Sequence, residues 1–201
     1  MAGFAYVAAQ PGMVGFLVMT SLFNALLMPM SLLLPVYASS QLHGGVRWYG
    51  FLLAAISAGA IAGGTLSGAK RLTASGSARR VALIVAFAAL AAALAVLGQV
   101  RSRETALAIL FVTGALSGMI NVLTLSIIQR QTSVPFRGRV LGLHAMMTRI
   151  LVPIGLVGGG ALADLTGRNV PLVYGVCGAL ALLNVILLAT RRTTRAFLAS
   201  T

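Results

Sequence analysis

Few residues of this chain could do chemistry, and they are unevenly placed. Two carboxylates, Glu104 and Asp164, stand against fifteen Lys and Arg, two His and one Cys. Arg149 lies inside the apolar run "MMTRILVPIG", where an arginine at mid-span costs about 2.5–3.5 kcal/mol. It must find carbonyls, polar side chains, water or an acid from outside the sequence, so it serves either cargo or contact between helices. Three more arginines, Arg130, Arg137 and Arg139, crowd the stretch "IIQRQTSVPFRGRVLG" at 127–142. They raise the choice between a nucleic-acid hook, a catalytic loop and a topology signal. The run "GALSG" at 114–118, with His144 downstream, invites comparison with a membrane serine protease. Ser117 lacks the Gly-x-Ser-Gly spacing that would aim it, and His144 falls near the end of its own run, not at the depth of Ser117. Geometry comes before chemistry, so no enzyme is expected, and His144 reads as an interfacial residue. The lone Cys177 sits in an apolar run and supports neither a disulfide framework nor a metal site. No cofactor is expected.

The elements that hold these residues follow from composition. The chain has 201 residues, 59% hydrophobic and 8% charged, with a mean hydropathy of +0.98. A soluble fold carries about a quarter charged residues, so this is an integral membrane protein. Crossing the hydrocarbon takes about 20 mostly apolar residues. Spans are expected at 13–38, 48–69, 80–99, 105–129, 139–163 and 170–190, after a lead-in at 1–12 and before a basic tail at 191–201. The runs are long and rich in Ala and Leu, unlike barrel strands that alternate over about 10 residues. The fold class is therefore all-α, a polytopic bundle of six transmembrane helices.

The formal charge of +13 does not imply nucleic acid, because the basic residues lie beside gaps between apolar runs instead of on one face. One side holds Lys70, Arg71, Arg79, Arg80, Arg130, Arg137, Arg139, Arg191, Arg192 and Arg195, and the other Arg47, Arg101, Arg103 and Arg168. Ten against four places both termini in the cytoplasm of a multi-pass cell-membrane protein. Arg130, Arg137 and Arg139 thus hold topology and meet anionic lipid, at about 1 kcal/mol each.

Inside the spans, small residues four apart permit close helix packing. They are Ala55, Gly59, Gly63 and Ser67 in the second span, with Gly64 and Gly68 alongside, Gly114 and Gly118 in the fourth, and Gly155 and Gly159 in the fifth. Pro29 and Pro35 each remove a helical hydrogen bond from the first span. Either they mark an interrupted, gating helix, or neighbouring helices relieve a simple kink. Thr20, Asn24 and Ser31 share one stripe, and Thr113, Ser117, Asn121 and Thr124 another, ending near Gln129. Such stripes face another helix or a water-filled cavity.

Four passages resemble the C-terminal six helices of the major facilitator superfamily, especially its bacterial drug and siderophore exporter branch. "AGFAYVAAQPGM" (2–13) is similar to the segment entering the seventh helix, and "SLLLPVYASSQLHGGVRWYGFLLAAISAGAIAGG" (31–64) to the hairpin of the seventh and eighth. "NVLTLSIIQRQTSVPFRGRVLGL" (121–143) resembles the loop between the tenth and eleventh, and "RILVPIGLVGGGALADLTG" (149–167) the eleventh. The resemblance implies two six-helix halves rocking about a central site, with Asn24, Asn121, Thr124 and Arg149 on the cavity side. Pro153, Gly155, Gly158 and Gly159 are similar to the antiporter glycine-proline motif, which in the family belongs to the other half. "SGAKRLTASGSARR" is similar to the family's basic loop between helices two and three but lacks its acid. The family's typical chain has twelve helices. The expected function is an efflux half carrying a small-molecule substrate with a second six-helix half or a second copy. The alternative is a truncated, non-transporting fragment or an assembly scaffold.

Overall fold

The computed structural model describes residues 6–10, 12–67 and 76–190. Residues 1–5 of the lead-in, Gly68, Lys70, Arg71 and the tail with Arg191, Arg192 and Arg195 lie outside the described residues.

Six helices form where the apolar runs lie: α1 (Met13–Ser40), α2 (Val46–Ser67), α3 (Gly76–Leu97), α4 (Arg103–Gln131), α5 (Arg137–Leu165) and α6 (Val170–Thr190). Each is long and apolar enough to cross a membrane. No strand occurs among the described residues. Local chemistry sets several ends. Gly12, at φ 84°, precedes α1 in a conformation that side chains disfavour. The Ser102 hydroxyl accepts from the Thr105 amide to cap α4, and Glu104 in the first turn suits the positive end of the helix dipole. A 3-10 turn, Val134–Phe136, begins with Pro135 near its start and leads directly into α5.

The helices do not pack in chain order. α2 lies along α4, α1 along α5 and α3 along α6, with α6 also against α1 and α3 against α4. The result is an arc running α2, α4, α3, α6, α1, α5, whose interior faces are α1, α3, α4 and α5. α4 and α5 barely touch, and the bundle is open between them. Buried apolar residues form two layers. One is built around Phe16, Leu83, Phe87, Ile127 and Val185, and the other around Tyr37, Leu52, Leu97, Leu110 and Tyr174. Where a buried tyrosine would strand its hydroxyl, it finds a carbonyl. Tyr174 donates to Met30 O at 2.9 Å and Tyr37 to Val100 O at 2.8 Å. Large apolar side chains such as Ile61, Val85, Ile154, Val157 and Ile186 remain exposed, which a lipid surround satisfies.

The small-residue seams separate cleanly. A Cβ at Gly59 would strike the Phe111 carbonyl, one at Gly63 the Ala115 carbonyl, one at Gly114 the Ile56 carbonyl and one at Gly118 the Ala60 carbonyl. Two GxxxG ridges interlock, and they account for the close pairing of α2 with α4. On α5, Gly155 faces the Ala25 carbonyl and Gly159 the ring of Pro29. Pro29 has no amide hydrogen for the carbonyl four residues earlier, which is Ala25's. The backbone of Gly155 covers that freed oxygen, and α1 runs through both Pro29 and Pro35 as one continuous helix. Gly158 is a correction: a Cβ there meets nothing within 4 Å, so it belongs to no seam. Pro35 and Pro153 are exposed.

Two further expectations shift. Arg79, counted as a loop charge, lies in the first turn of α3 and is buried. The lead-in folds back on the bundle: Val7 is buried, Tyr6 stacks on Phe136 at 4.5 Å, and the Ser133 amide donates to the Tyr6 hydroxyl. That bond holds the Tyr6 phenol below its usual pKa. The Arg139 guanidinium sits 5.6 Å from the centroid of the Phe136 ring. Phe136→Ala is expected to release the lead-in, seen as faster protease cleavage before Met13 with unchanged helix content. Equal cleavage rates would remove the stacking as the tether.

Candidate functional site

The interior of the arc holds a cavity of about 350 Å³. Helical periodicity delivers its polar wall. On α1, Thr20 and Asn24 are one turn apart. On α4, Ser117, Asn121 and Thr124 follow at four and three residues. On α5, His144, Thr148 and Arg149 complete the ring. Phe87 and Leu90 of α3, with Phe23, Leu27, Ile120 and Leu125, make the apolar part of the wall. The structure therefore brings Asn24, Asn121, Thr124 and Arg149 together around one space. Three residues of the sequence stripes fall elsewhere. Ser31 and Gln129 are exposed and do not line the cavity, while Thr113 is buried and donates to Ile109 O.

Most threonines of the bundle satisfy themselves within their own helix. Thr20, Thr132 and Thr148 donate to carbonyls four residues back at 2.9, 2.7 and 3.0 Å. Thr124 does not: its side chain is 5% exposed and its Oγ1 has no hydrogen-bond partner. His144 Nδ1 is likewise buried and without a partner. Thr148 Oγ1 lies 3.4 Å from Ser21 Oγ and links α5 to α1 beside the cavity. Leaving such groups unpaired costs about 1–3 kcal/mol each. Both residues line the cavity, although the two atoms themselves are buried.

Arg149 is exposed on the cavity's open side. Among the described residues no hydrogen bond or ion pair engages it. Neither acid of the chain lines the cavity, and Arg149 carries the only formal charge among the described residues that do. Pro153 adds a local feature, since it leaves the Arg149 carbonyl without its helical amide partner. Donors on the guanidinium and a spare acceptor on its own backbone thus occupy one level of α5.

His144, near the end of its apolar run, is nonetheless a cavity residue, because distance from the end of a run does not fix depth in the bundle. It lines the same cavity as Ser117. No hydrogen bond joins the two among the described residues. Arg130, Arg137 and Arg139 lie at the basic end away from the cavity lining and are exposed. Arg137 donates to Thr132 O at 3.2 Å and so helps set the turn into α5. At the opposite end Arg103 ties α4 to the loop after α1, donating to Leu42 O at 2.9 Å and His43 O at 2.7 Å. Charge counting had given Arg103 only a topological role. Among the described residues no group of His, Cys, Asp or Glu could hold a metal ion.

A family model of the major facilitator superfamily, described as "Transmembrane secretion effector", matches residues 1–200. No curated protein and no solved structure matches the chain.

Proposed function

Since the chain belongs to the transmembrane secretion effector family of the major facilitator superfamily, a family of membrane transporters, we propose that it is one six-helix half of a secondary-active exporter. The cavity is the cargo path, and alternating access arises as this half rocks against a second six-helix unit. That unit is a separate chain, a second copy or a further part of the same polypeptide. One observation carries the reading: polar residues from α1, α4 and α5 converge on a single cavity that is open between α4 and α5. A facing unit would close it. The family's description as a secretion effector supports outward direction.

The reading is tested in cells that express the chain with a complementary half, by accumulation of a panel of fluorescent amphiphiles. Lower accumulation of at least one compound, reversed by an uncoupler, is the expected result. Equal accumulation across the panel, with the protein present in the membrane, would overturn it.

The ten-to-four charge bias supports a cell-membrane orientation with both termini in the cytoplasm. Because Cys177 is buried in α6, single introduced cysteines report topology cleanly. In intact cells an impermeant thiol reagent is expected to label Gly45→Cys and to spare Gly76→Cys and Ser133→Cys. Labelling at Gly76→Cys would reverse the orientation.

A further inference from the structure

We propose that the cavity takes an amphipathic anion: one carboxylate-like group held at Arg149, and an apolar body against Phe23, Phe87 and Leu90. The proposal rests on the cavity being the cargo path and adds the class of cargo. Three observations support it. Arg149 is the only formal charge among the described lining residues, and neither acid of the chain is near enough to line the space. A cationic cargo would meet that charge with no carboxylate to offset it, whereas an anion would supply the missing counter-charge. The polar atoms left without partners, Thr124 Oγ1 and His144 Nδ1, belong to the same wall. Both atoms are buried, so a polar head at Arg149 would engage them only after a small rotation of the two side chains. Third, an aromatic and aliphatic part of the wall, with Phe23, Phe87 and Leu90, lies beside the polar part, and a volume of about 350 Å³ falls in the range of small-molecule sites, roughly 300–1,000 Å³.

An acid on the facing unit is the rival partner for Arg149. It would satisfy the guanidinium while leaving the chain with no preference among cargo charges. Anionic lipid is another source of the same chemistry, since Arg149 is exposed on the open side.

The experiment uses the full chain in phosphatidylcholine nanodiscs and three probes with one dansyl body: dansylglycine, dansylglycinamide and dansylcadaverine. Binding is read by fluorescence after subtraction of empty nanodiscs. Dansylglycine is expected to bind about tenfold or more tightly than the neutral and cationic probes, as a charge-assisted hydrogen bond implies. Arg149→Lys should keep the preference and Arg149→Gln should lose it, with the neutral probe unchanged between them. Equal affinity for all three probes overturns the anion assignment and leaves the cavity reading intact. Binding of none, by protein that is monodisperse and helical, overturns the cavity reading and this inference with it. Loss of the preference when phosphatidylglycerol is added assigns Arg149 to lipid and overturns the cargo assignment.

Discussion

Gly63→Leu is expected to lower the melting temperature by about 6–12 °C, where Gly158→Leu changes it hardly at all. The two substitutions add the same side chain to helices in the same bundle. Their surroundings differ, because a Cβ at Gly63 would run into the carbonyl of Ala115, whereas at Gly158 nothing lies within 4 Å. The obstacle at Gly63 is backbone, which cannot rotate away, so α2 must separate from α4. Overpacking of this kind costs about 3 kcal/mol or more, and roughly 2–4 °C accompanies each kcal/mol in a domain of this size. Separation of the two helices also opens Gly59, Gly114 and Gly118, which share the seam. The protein carries its own reporter, since Cys177 is buried and becomes reactive to a thiol-sensitive dye only on unfolding. If both variants melt alike, the interlocked ridges are not what holds α2 to α4.

Arg149→Ala is expected to abolish transport in a competent assembly while insertion stays normal or improves. Transport falls because the cavity loses the only formal charge among its described lining residues. The interactions removed are worth about 1.5–3 kcal/mol, or roughly ten- to more than a hundredfold in binding. Insertion does not suffer, since an arginine at mid-span costs about 2.5–3.5 kcal/mol and no hydrogen bond or ion pair among the described residues depends on it. A structural arginine would behave in the opposite way, with less protein in the membrane and unaltered transport per molecule. Unchanged transport at normal expression would exclude Arg149 from the cargo path.

Much of the fold was legible because the bilayer imposes it. Six apolar runs became six helices, and the boundaries differ by at most about four residues. Most of the differences share a cause: an apolar run marks the part of a helix that crosses hydrocarbon, and the helix continues beyond it into the polar interface, whereas α3 ends at Leu97, two residues short of the expected 99. Thus α4 starts at Arg103 and ends at Gln131, and α5 starts at Arg137. The same overrun brings Arg79 inside α3. Stripes along single helices were also legible, which is why Asn24, Asn121 and Thr124 share a cavity.

Pairing between helices was not legible. Periodicity orders the faces of one helix relative to each other and says nothing of which neighbour each face meets. Gly158 and Gly159 are adjacent in sequence, yet they point about 100° apart on the helix, and only Gly159 reaches α1. Ser31 failed for a related reason, since its stripe leaves the cavity before the helix reaches it. His144 shows the remaining gap, because depth in a bundle depends on where the neighbouring helices place their polar groups.

The openness between α4 and α5 has a further electrostatic consequence. At about 4 Å two unit charges attract by about 1 kcal/mol in bulk water and about 4 kcal/mol at an effective dielectric constant of 20. On the proposed reading, a facing unit that expelled water from the gap would strengthen the attraction between Arg149 and a bound anion, offset by the cost of desolvating both. Hydration of the cleft would then tune how tightly the cavity holds an anion, with no movement of Arg149 itself.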